Sequence, residues 1–151
     1  AMTRAEGAVF VERGIHGINV IPAPPTEEIF IDMPLDSWAA KWVTALYHDG
    51  YTAGCASSPL AFCPWQQMTR TEGSVFFLRM LNGLDYLPPS PTGLFEDVPL
   101  DWWGAKWAEA AYAAGLIPAC AQSPPRFCPA DLISRGLAAY MMVQAKDLPL
   151  P

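Results

Sequence analysis

The chain repeats itself, and a repeat restricts it to folds that pair or stack one small unit. Phe30 to Pro64 aligns with Phe95 to Pro129 at a constant offset of 65. Asp32, Pro34, Leu35, Asp36, Trp38, Lys41 and Trp42 return as Asp97, Pro99, Leu100, Asp101, Trp103, Lys106 and Trp107. Tyr47, Gly50, Cys55, Phe62 and Cys63 return as Tyr112, Gly115, Cys120, Phe127 and Cys128. A second register, offset 66, relates Thr3-Arg4-Ala5-Glu6-Gly7 to Thr69-Arg70-Thr71-Glu72-Gly73, and Arg13 and Gly17 to Arg79 and Gly83. The chain thus carries the back half of one unit and two complete ones: 1–17, then 30–83 and 95–147. Proline-rich linkers occupy 18–29 and 84–94, and 148–151 reads as a tail.

Each register has its own helix signal. Thr3 with Glu6, and Thr69 with Glu72, are capping boxes, in which the hydroxyl and the carboxylate satisfy each other's backbone N–H groups. They predict one helix from residue 3 to about 16 and another that opens at Thr69 and runs through Val75, Phe76, Leu78, Arg79 and Leu81. Ser134 can cap a third such helix to about Lys146, although Leu137 replaces the glutamate. Trp38, Trp42, Ala45 and Leu46 form a one-sided stripe at helical spacing, with Asp36 or Ser37 as the expected N-cap and Gly50 as the stop. Trp103, Trp107 and Gly115 repeat it. Strand signals are weak, so the expected fold is mainly α, built of helix-loop-helix repeats.

The formal charge is −6. Phosphate neutralisation needs a basic surface, so a nucleic-acid binder is excluded. No run approaches the roughly 20 apolar residues of a bilayer span. No signal peptide is legible, which says nothing about export because the chain opens within a repeat.

Cys55, Cys63, Cys120 and Cys128 fall in two pairs, each with seven intervening residues. Zinc pairs use spacings of about two to four residues, and His16 and His48 do not complete such a site in each repeat. No metal or cofactor is expected. Sequence leaves three disulfide pairings open, and the repeat favours the local one, Cys55 with Cys63 and Cys120 with Cys128. Disulfides imply an oxidising compartment.

The arginines are the least explained residues. Arg4, Arg70 and Arg135 stand at the first helical position, where a cation opposes the helix dipole. An anionic ligand would explain them, because N–H groups, dipole and guanidinium would converge on a carboxylate. A salt bridge to Asp32, Asp97 or Glu72 would explain them as well. Arg13, Arg79, Lys41 and Lys106 read as surface positions. Asp32 and Asp97 read as turn-forming or capping residues. The tryptophans read either as core or, for Trp38 and Trp103, as walls of a sugar-binding groove.

Taken in order, Phe95-Glu96-Asp97-Val98-Pro99, Trp38-Ala39-Ala40-Lys41-Trp42, Tyr47-His48-Asp49-Gly50 and Thr3-Arg4-Ala5-Glu6 resemble S-layer homology (SLH) modules, and the paired cysteines resemble a disulfide-bearing subset of them. The resemblance implies a pseudo-threefold arrangement of modules around a central helix bundle. It also implies grooves that bind cell-wall polysaccharide, often acidic or pyruvylated, with Arg4, Arg70 and Arg135 contributing. The first module lacks its front half, and Ser134-Arg135-Gly136-Leu137 departs from the motif. The function expected is a non-catalytic extracellular anchor on the cell envelope. The alternative is a structural assembly module, self-associating or completed by another chain or an upstream segment. No Cys/His or Ser/His/Asp spacing suggests an enzyme.

Overall fold

Two capping boxes set where the longest helices begin. Helix α1 spans Arg4–His16 and α3 spans Arg70–Asn82. In both, the threonine hydroxyl accepts from the N–H three residues on and the glutamate accepts from the threonine N–H. Gly17 and Gly83 end them with φ of 99° and 97°, values open to glycine and strained for other residues. Ser134 caps α5, Arg135–Lys146, by accepting from Leu137 N–H.

The computed structural model describes residues 1–147, so the expected tail at 148–151 lies outside the described residues. The chain forms two compact units, Met2–Met68 and Thr69 onward. In the first unit α1 packs on α2, Ala40–His48, and strands β1, Ala56–Ser57, and β2, Leu60–Ala61, form an antiparallel hairpin. In the second, α3 packs on α4, Ala105–Ala113, and on α5. Its hairpin is β3, Ala121–Gln122, with β4, Pro125–Arg126.

The mainly α expectation is therefore corrected. Of the described residues 38% are helical, and each unit carries a two-stranded hairpin, so the fold is a small mixed α/β one. The pseudo-threefold array of helical modules gives way to two α/β units. The hairpins escaped notice because each strand has two residues, too few for a period of two to be visible.

The start of α2 is also corrected. Its N-cap is Ala39, with no side-chain cap, rather than Asp36 or Ser37. Residues 34–39 instead form consecutive turns, in which Ser37 N–H donates to Pro34 O and Ala40 N–H to Ser37 O. This displaces Trp38 from the helical stripe that buries Trp42 and Leu46.

Each unit has an aromatic core. Phe30 meets Tyr47 edge-on at 5.2 Å and Phe62 at 5.5 Å; Phe95 repeats this with Tyr112 and Phe127, both at 5.3 Å. The helix glycine of the motif lets the chain after the cysteine loop approach closely. A Cβ at Gly7 would sit 2.4 Å from Met68 Sδ, and one at Gly73 would sit 2.0 Å from Ile133 Cδ1.

Candidate functional site

The recurring arginine and aspartate act on one segment, the Phe-Cys-Pro that closes each cysteine loop. Asp32 accepts from Phe62 N–H at 2.8 Å and Cys63 N–H at 2.7 Å. Arg4 Nε donates to Phe62 O at 3.0 Å, and its guanidinium lies 5.0 Å from the centre of the Phe62 ring. The second unit repeats the clasp. Asp97 takes Phe127 and Cys128 N–H, while Arg70 Nε donates to Phe127 O at 2.7 Å and stacks on its ring at 5.0 Å. Both clasped cysteines, Cys63 and Cys128, have left-handed backbones with φ of 56° and 55°. Such a conformation is unfavourable for a residue with a Cβ and persists where neighbours hold it. The disulfides are Cys55–Cys63 and Cys120–Cys128.

These helix starts are closed from within. Arg4 and Ala5 N–H donate to Gln66 O and Pro64 O; Arg70 and Thr71 N–H donate to Asp131 O and Pro129 O. Arg4 and Arg70 are 8% and 7% exposed. Burial pulls the Arg70 guanidinium below its ordinary range, against the opposing pull of Asp131 and Asp97. Arg135 is exposed. The three motif arginines thus have two kinds of surroundings, and the buried pair is turned onto its own unit.

The tryptophans divide by position. Trp42 and Trp107 are buried, each under two cations: Arg13 and Lys41 at 5.2 and 5.8 Å from Trp42, Arg79 and Lys106 at 5.3 and 6.0 Å from Trp107. Arg13, Arg79, Lys41 and Lys106 therefore cover indole faces. Trp38 and Trp103 are 50% and 58% exposed, with Leu35 and Leu100 exposed three residues before them. Trp102 meets Trp103 at a tilt of 52°, with ring centres 5.2 Å apart.

The linkers lie against the Trp helices. Pro22, Pro24 and Pro25 bound a cleft of ≈ 300 Å³ with Lys41, Thr44 and His48 of α2. In the second unit Glu109 of α4 accepts from the N–H groups of Thr92, Gly93 and Leu94 and from the Thr92 hydroxyl. Burial raises the Glu109 pKa, but these hydrogen bonds outweigh it and the net shift is downward.

One cluster went unnoticed in the sequence. Glu12 and His16 of α1 meet Asp49, the C-cap of α2. His16 Nε2 lies 2.5 Å from Asp49 Oδ2 and 3.8 Å from Glu12 Oε2. Burial, then Asp49, push the Glu12 carboxyl up to about 7, with His16 opposing. The available signal was the repeat itself, since Glu12, His16 and Asp49 align with Leu78, Asn82 and Ala114.

No family model matches the sequence, and no curated protein matches it. Among the described residues, no helix is long and apolar enough to cross a membrane.

Proposed function

We propose that this chain is a non-catalytic extracellular module that anchors a protein to the cell envelope by holding acidic cell-wall polysaccharide. The observation that carries this reading is the exposed indole at the same place in each unit, Trp38 and Trp103. An indole is expensive to leave in water, and its face suits the apolar side of a sugar ring. Two such platforms fit a polymer of repeating sugars, because linked weak sites multiply one another. The disulfides are compatible with an extracellular protein. The acidic character of the polymer rests on the SLH resemblance.

A second reading, a module for protein assembly, is favoured by Leu35 and Leu100. A leucine exposed three residues before each exposed indole suits a protein partner better than a sugar.

Binding of the intact chain to purified acidic wall polysaccharide, beside a Trp38→Ala/Trp103→Ala variant, tests the proposal. Both side chains are half exposed, so the variant should fold. Saturable binding that weakens by at least about 10-fold in the variant supports the anchor. Absence of binding by the intact chain, with association that rises with its concentration, moves the assignment to assembly. Charge supplies a further signature. The net charge of −6 repels an acidic polymer, so affinity should rise as salt is added from about 10 to 150 mM.

A further inference from the structure

The two units share a repeat, and one corner of it changes from ionisable to apolar or neutral residues. Where the first has Glu12, His16, Asp49 and Tyr51, the second has Leu78, Asn82, Ala114 and Leu116. Leu78 and Leu116 are buried in the second unit, so this fold is satisfied by apolar packing there. Glu12 takes the place of Leu78 and is only 1% exposed. Its Oε1 is buried with no hydrogen-bond partner. A buried carboxylate left partly unsatisfied is unfavourable, and such exceptions call for a physical reason.

We infer that Glu12, His16 and Asp49 form a site for a divalent cation of the zinc class. One ligand atom from each of the three lies within 4.8 Å of the others. Glu12 and His16 stand four residues apart, on one face of α1. An imidazole with two carboxylates suits Zn²⁺ and its transition-metal neighbours better than Ca²⁺ or Mg²⁺, which take oxygen alone. Donors about 2.1 Å from a tetrahedral ion lie roughly 3.4 Å apart. Glu12 Oε2 and His16 Nε2, at 3.8 Å, are near that spacing. His16 Nε2 and Asp49 Oδ2, at 2.5 Å, must part by about 1 Å. Their side chains are 43% and 35% exposed, which leaves room for that movement. The ion would take the place of the His16–Asp49 hydrogen bond, and its charge would be offset by the carboxylates.

The other two clusters of metal-ligand type among the described residues, Asp32 with Cys55 and Cys63 and Asp97 with Cys120 and Cys128, are different. Their sulfurs are tied in disulfides and offer no thiolate. One ion per chain is therefore expected without reductant.

Calorimetric titration of the whole oxidised chain with zinc chloride tests this, with NMR of the two histidine rings. The expected result is one ion bound, with the His16 ring signals shifted and those of His48 unmoved. A Glu12→Leu/His16→Asn/Asp49→Ala variant carries the residues that the second unit uses at the same places. It should bind at least about 10-fold more weakly. His16→Gln changes a half-exposed side chain and should show the same loss if the triple variant misfolds. No binding by the intact chain up to about 1 mM zinc would overturn the site, since that limit is the weak end of the range that functional cation sites span. Unchanged affinity in His16→Gln, or an equal shift of the His48 ring, would also overturn it.

Discussion

The Arg of the Thr-Arg-x-Glu motif shows how far a single residue can be read. Its recurrence was visible as a chemical oddity, a cation at the positive end of a helix. Its partner was not, because the partner is a main-chain carbonyl 58 residues away for Arg4 and 57 for Arg70. Every residue carries a carbonyl, so no side-chain pattern marks the right one. The aspartate was legible as a cap and illegible as to what it caps, for the same reason. Removing the Arg70 donors should expose this role. Arg70→Met keeps an apolar stem on Phe127 but leaves Phe127 O and Pro118 O without their donor. Loss of about 2 to 3 kcal/mol is expected in urea denaturation, since a charged donor is removed from buried carbonyls. Glu12 should behave in the opposite way. Glu12→Leu restores the residue found in the second unit and removes a buried carboxylate with an unpartnered oxygen. In the presence of a chelator it should stabilise the chain by about 1 to 3 kcal/mol.

At the scale of elements, legibility followed the locality of the signal. The capping boxes involve residues three apart, and α1 and α3 start where the sequence placed them. The Trp helix starts later than expected because Ser37 and Pro34 are used in turns, and a turn and a first helical turn share the same residues. The second linker looked like passive polyproline chain. In fact Glu109 gathers three of its N–H groups, and nothing in residues 84–94 announces an acceptor 15 to 17 residues on. This anchor should be sensitive to acid. The Glu109 carboxyl titrates below its ordinary value when folded, so its contribution is complete above about 4.5 and disappears as pH falls through the folded value. The amide proton shifts of Thr92, Gly93 and Leu94 should therefore titrate together, with a midpoint below about 4.5. Glu109→Gln should abolish that common titration.

For the whole molecule, a tandem repeat has a period but no phase. Comparison at offsets of 65 and 66 established the period and left open which half-repeats pack together. Reading the two registers in chain order gives units at 30–83 and 95–147. The compact units, 2–68 and from 69 onward, join α1 and α3 to the tryptophan helix and cysteine loop that follow each of them. Each unit so divided keeps its clasp complete: the arginine comes from its first helix, the aspartate from before its second, and both hold its own disulfide loop. The disulfide and the clasp then act on the same few residues, and their effects should not add. Each bond spans a sequence separation of 8, and closure of so short a loop stabilises by about 2 to 3 kcal/mol in the chain-entropy model. Cys120→Ala/Cys128→Ala should lower stability by about that amount, measured by chemical denaturation. In an Arg70→Met background the same pair of changes should cost less, by roughly 0.5 kcal/mol or more, because the loop end is already released. Strict additivity in this double-mutant cycle would mean that the arginine and the disulfide stabilise the unit separately, and that the clasp does not hold the left-handed turn at Cys128.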